Sequence, residues 1–160
     1  MSPNENVSAA DIMVPLKRLI VLRPDMDALS AIRMLLKNKI SGAPVVDNEN
    51  RYLGVFSEKT SMQFLLRLTY DSLPSSDVRA FMNPDPDRTI DKDTDLLSIM
   101  EMFLQTPFRR LPVLSGPYLV GQISRRDALT AATKSLDCSQ RGGKRLLYLS
   151  ALGEVAGMTF

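Results

Sequence analysis

"LRPDMDALSAIRMLLKNKISGAPVVD" (residues 22–47) and "IDKDTDLLSIMEMFLQTPFRRLPVLS" (residues 90–115) carry the same pattern twice. Asp25 matches Asp93, Asp27 matches Asp95, and Leu29 matches Leu97. Pro44-Val45 matches Pro112-Val113. Each pair is separated by 68 positions, for example 27 to 95 and 44 to 112. Upstream, "ADIMVP" (10–15) resembles "RAFMNP" (79–84). Downstream, "YLGVFSEKT" (52–60) resembles "LVGQISRRD" (119–127), with Gly54 to Gly121 separated by 67 positions. One residue has therefore been lost in the turn between. Matches at so many spaced positions identify two copies of one supersecondary unit.

Each copy reads in the same order. A short helix ("SAADIM" or "DVRAFM") leads into a brief apolar strand ("LIVL" or "RTI"). Asp27 and Asp95 then look like helix N-caps, whose carboxylates accept from unpaired first-turn amides. Ala28, Ala31, Ile32 and Leu35, and in the second copy Leu96, Ile99, Met100 and Phe103, fall at helical spacing. "APVVD" and "RYLGVFS" read as a strand hairpin about the turn "NEN". A final helix begins at "SEKTSMQFLLRL" or "SRRDALTAATKSL". The order is β-α-β-β-α, so the fold class is mixed α/β. Two such units can pack their sheets together and cover the face each leaves open. The expected boundaries are repeat 1 at 8–68, a linker at 69–77, repeat 2 at 78–136 and a C-terminal extension at 137–160. The linker's proline and serines suit a surface crossing. The apolar tail "RLLYLSALGEVAGMTF" (145–160) would pack on the body or on a partner chain, with simple disorder the next alternative.

Composition narrows the chemistry. The chain has 160 residues, 44% of them hydrophobic and 24% charged, an ordinary soluble composition. Histidine is absent, which removes the commonest general base and metal ligand. Cys138 is the single cysteine, so no internal disulfide forms and a reducing, cytoplasmic compartment is expected. A net charge of +2 lacks the basic excess of a nucleic-acid binder. No apolar stretch reaches membrane-spanning length, and the polar N-terminus lacks a signal-peptide pattern. An enzyme is the poorest reading: no base, metal cage or activated nucleophile is in view, and no metal site or required cofactor is expected.

These repeats resemble a tandem pair of CBS domains, the module first named in cystathionine beta-synthase. The similarity covers about residues 8 to 136 and rests on the doubled order, on "GAPVVD" and "RLPVLS", and on "GVFSEKT" and "GQISRRD". It implies two units related by a pseudo-two-fold axis with clefts between them. Such pairs often form homodimers. The family is regulatory, and its usual ligands are adenosine derivatives: AMP, ADP, ATP or S-adenosylmethionine. The resemblance thus implies a stand-alone sensory module that binds an adenine nucleotide and relays its state to an unidentified partner protein. The alternative is a ligand-free dimerisation or protein-interaction module.

The resemblance maps ligand roles onto Ser124 and Asp127, with Asp127 accepting from a ribose diol. The residues also support a capping box, Ser124 as N-cap with Asp127 three positions on; one geometry serves both. A strand-to-helix junction also offers amides to phosphate. In copy one the aspartate is replaced by Thr60, while Ser57 is retained, so asymmetric sites are expected and capping is favoured there, with Thr60 facing solvent. Arg109 and Arg110 precede "LPV", where basic residues meet phosphate in the family; a solvated pair is the equal alternative. Thr89 stands where the family often meets adenine, and a plain strand-edge threonine is the simpler reading. Arg125 and Arg126 are expected to be solvated, and the nine methionines to be packing.

Overall fold

The computed structural model describes residues 7–72 and 76–141. Its elements are α1 (Ala9–Ile12), β1 (Val14–Pro15), α2 (Ala28–Asn38), β2 (Gly42–Val46), β3 (Tyr52–Ser57), α3 (Glu58–Asp71), α4 (Val78–Phe81), β4 (Ile90–Asp91), α5 (Leu96–Gln105), β5 (Arg110–Ser115), β6 (Tyr118–Ser124) and α6 (Arg125–Arg141). Helix α6 thus runs on through "CSQR", where a break was expected; the run lacks glycine and proline until position 142. The tail at 142–160 lies outside the described residues.

Local chemistry explains the helix starts. Asp27 accepts from the Ser30 amide at 2.9 Å and Asp95 from the Ser98 amide at 3.0 Å. Hydrogen bonds from the Ser98 amide and hydroxyl hold the Asp95 carboxyl below its ordinary range. Helix α2 ends at Lys39 in the left-handed region, a common way to satisfy last-turn carbonyls. Its apolar stripe, Ala28, Ala31, Ile32 and Leu35, is buried.

The copies fold alike. Strands β2 and β3 pair antiparallel, as do β5 and β6. Both hairpins shift register at the equivalent step, between Val45 and Val46 and between Val113 and Leu114. The expected first strand of copy two is β4, which runs parallel to β5. In copy one "LIVL" shrinks to a single parallel bridge from Leu22 to Val45. The hairpins also meet each other: the Tyr52 amide donates to the Pro117 carbonyl and the Leu119 amide to the Asn50 carbonyl, both at 2.9 Å.

The lead-in segments exchange places. Strand β1 of the first copy pairs with β6 of the second, Val14 opposite Gln122. In return Asn83 pairs with Val55 on β3, with bonds of 2.8 and 2.9 Å. The short helices follow: the Ala9 amide reaches the Thr94 carbonyl, and the Val78 amide reaches the Met26 carbonyl. Two cores result, and each contains a foreign helix. Val78, Phe81 and Met82 complete the core of Leu22, Ile32, Leu35, Val45, Phe56 and Phe64. Ala9, Ile12 and Met13 complete that of Ile99, Phe103, Leu111, Val113 and Ile123. The Phe81 ring meets Phe64 edge-on at 5.1 Å.

This exchange accounts for the matched glycines. A β-carbon on Gly54 would lie 2.5 Å from the Asn83 carbonyl oxygen, and one on Gly121 would strike the Met13 side chain and stand 2.8 Å from the Val14 oxygen. Glycine is required where the crossing segment lies flat on the strand.

Candidate functional site

A cleft of about 400 Å³ opens between the two copies. From the first come Ser41, Gly42 and Ala43 at the start of β2, Val55 and Ser57 on β3, and Glu58 and Lys59 in the first turn of α3. From the second come Arg88, Pro107, Arg109 and Arg110, with Pro112 and Gln122 on the sheet. Its size lies in the range typical of small-molecule pockets.

Of the sequence-predicted residues, Ser57, Arg109 and Arg110 are brought together here. Ser124, Asp127, Thr60 and Thr89 do not line this cleft. Asp127 is occupied locally: its carboxylate accepts from the Ser124 amide and hydroxyl, each at 2.8 Å, while the Ser124 hydroxyl accepts from the Asp127 amide at 3.2 Å. That is a reciprocal capping box. Thr60 reproduces it, accepting from the Ser57 amide at 2.8 Å while its own amide donates to the Ser57 hydroxyl at 3.3 Å. Thr60 is 8% exposed, so its expected solvent-facing position is corrected: the side chain is short enough to fold back over the helix start. Thr89 sits just before β4, its hydroxyl donating to the Pro86 carbonyl at 2.9 Å.

The expected free amides at the helix starts are mostly taken. The Glu58 amide donates to the Ser41 carbonyl at 2.9 Å and the Thr60 amide to Ser57. The Arg125 amide likewise reaches the Arg109 carbonyl at 3.4 Å. Charge at the cleft therefore comes from side chains. Lys59, Arg88, Arg109 and Arg110 face one carboxylate, Glu58. Among the described residues the single ion pair is Arg51 with Glu49, at 2.7 Å, which leaves these cations without a salt-bridge partner.

Arg88 is the residue that sequence reasoning missed. Its guanidinium lies 4.6 Å from the centroid of the Phe108 ring, a cation–π contact. Its Nε is buried and finds no hydrogen-bond partner among the described residues. The same holds for the Tyr52 hydroxyl, and burial pushes that phenol up to about 12. Its sequence signal is position alone: Arg88 immediately precedes Thr89.

No cluster of three or more histidine, cysteine or acidic groups able to hold a metal ion occurs among the described residues. No helix there is long and apolar enough to cross a membrane.

A family model for the CBS domain matches residues 9–60 and 77–134. The chloroplastic CBS domain-containing protein CBSX2 of Arabidopsis thaliana is 26% identical over 159 residues, covering 81% of this chain. This chain spans 65% of that relative's length. A crystal structure of CBSX2 in complex with AMP is 28% identical, with a TM-score of 0.69 over 79% of this chain and 96% of that one. The structure of CbpB in complex with c-di-AMP shares the fold at a TM-score of 0.72 and 20% identity, over 85% of this chain and 91% of that one.

Proposed function

Because the chain belongs to the CBS domain family, we propose that it is a regulatory protein that holds an adenine nucleotide in the cleft between its repeats and relays occupancy to a partner protein. The observation that carries this reading is the cleft itself, which is lined from both repeats and carries four cations against one carboxylate. A ligand seated there touches both halves, so it biases their relative arrangement through its differential affinity for each. The AMP complex of CBSX2 supports an adenosine ligand. Among such ligands the cation excess favours phosphate-bearing ones over S-adenosylmethionine, whose sulfonium adds positive charge. The exposed Cys138 thiol is in keeping with a reducing, cytoplasmic setting.

Ser57 and Arg110 are assigned to the phosphate end of the ligand. The Ser124–Asp127 turn is the competing seat for a ribose. Titration calorimetry with AMP on the unaltered protein, Ser57→Ala and Asp127→Ala separates the two. Weakening by Ser57→Ala alone is expected; weakening by Asp127→Ala alone would move the ligand to the other turn. Absence of binding by AMP, ADP and ATP at millimolar concentration would remove nucleotide sensing.

A second reading, dimerisation or protein interaction, is favoured by an apolar groove of about 460 Å³ between α5 and α6. Leu104 and Leu129 are 86% and 63% exposed beside it, and α2 and α3 expose Leu36, Met62 and Leu66. Apolar area of this kind marks an association surface. We assign it to a homodimer; light scattering on Leu104→Glu/Leu129→Glu should give the monomer mass, and a retained dimer would place the interface elsewhere.

A further inference from the structure

We infer that the inter-repeat cleft discriminates its ligands by phosphate number, taking a polyphosphate chain in preference to a single phosphate. The inference rests on the nucleotide-binding reading above and goes on to say which part of the nucleotide is recognised. Three observations carry it. The cations stand on separate elements: Lys59 opens α3, Arg88 precedes β4, and Arg109 and Arg110 lead into β5. A single phosphate presents its charge at one point, whereas a run of phosphates can meet cations delivered from both repeats. Two of the first three amides of α3 are already bonded to Ser41 and Ser57, so the helix start offers little of the local cradle that suits one phosphate. The acidic residue implied for the ribose, Asp127, bonds Ser124 through Oδ2 and does not line the cleft, which leaves Glu58 as the sole carboxylate there among the described residues. The sugar is therefore weakly read and the charge strongly read. Arginine's planar fork suits repeated contacts along a phosphate chain.

The test is calorimetry in magnesium-free buffer with adenosine, AMP, ADP, ATP and inorganic tripolyphosphate. Affinity should rise along the series from adenosine to ATP, with ATP at least roughly tenfold tighter than AMP, the order expected of added charge-assisted contacts. The ATP affinity should also fall more steeply with salt than the AMP affinity. Lys59 and Arg109 are exposed, so Lys59→Ala/Arg109→Ala should leave the thermal melt unchanged while bringing the ATP-to-AMP ratio close to one. AMP binding as tightly as ATP would overturn the inference and leave nucleotide sensing standing. Tripolyphosphate binding without any adenosine compound would do the reverse, keeping the polyanion site and removing the nucleotide reading. Binding of none of the five removes both.

Discussion

The turns at Ser57–Thr60 and Ser124–Asp127 do the same structural work in different surroundings. Both close a reciprocal box at a helix start, one with a hydroxyl and the other with a carboxylate. The carboxylate that distinguishes the second copy turns one oxygen, Oδ2, back on Ser124. The turn that lacks it is the one that lines the cleft, beside cations supplied by the opposite copy. Resemblance in local sequence therefore does not say which turn lines this cleft; the neighbours from the opposite copy do.

The largest test of this symmetry is at the paired glycines. Gly54→Ala drives a β-carbon against the Asn83 backbone, which can yield only by moving the exchanged strand, and should cost about 2–3 kcal/mol in urea melts. Gly121→Ala meets the Met13 side chain, which can swing, and the Val14 oxygen, so about 1–2 kcal/mol is expected. Equal costs would mean that the two crossings are equally rigid. Next, Asp127→Ala removes an N-terminal capping partner and should cost about 1 kcal/mol. Asp127→Thr, which makes the second turn like the first, should recover most of it. If Asp127→Thr is as damaging as Asp127→Ala, the carboxylate does more than cap.

The smallest effect separates Tyr52 from its counterpart Leu119. Leu119 is buried and apolar, whereas Tyr52 carries a buried phenol raised to about 12. A phenol whose folded-state value lies above its ordinary one binds its proton more tightly when folded. Its contribution is therefore present below about pH 10 and is lost as pH rises from there toward 12. Tyr52→Phe should shift stability at pH 7 by only a few tenths of a kcal/mol, because the hydroxyl has no protein partner among the described residues. It should also flatten the fall of the melting temperature between about pH 10 and pH 12, read as scans of Tm against pH. An unchanged alkaline slope would assign that loss to other groups.

Much of this was legible in the chain before folding. The doubled pattern, the Asp27 and Asp95 caps, the hairpins and the buried stripes depend on residues within a few positions of one another. Their energetics are local: a carboxylate three residues before an amide, or an apolar period of 3.6. The same locality made Ser124 and Asp127 conspicuous and left Arg88 unnoticed, since a single arginine in a loop has no pattern. Its stacking on Phe108, 20 positions further along, requires the intervening chain to fold back.

The sequence by itself therefore determined the repeat, its element order and its helix caps. Tertiary structure alone decided that each lead-in helix completes the other copy's core. It also decided that the cleft joins Ser57 and Lys59 of one copy to Arg88, Arg109 and Arg110 of the other. The reason is physical: two copies of one unit offer each lead-in two docking strands of the same kind, each with a glycine at the matched position, and short-range preferences do not choose between them. The choice between them falls to chain connectivity and to close packing at Gly54 and Gly121, which act only once the two halves have met.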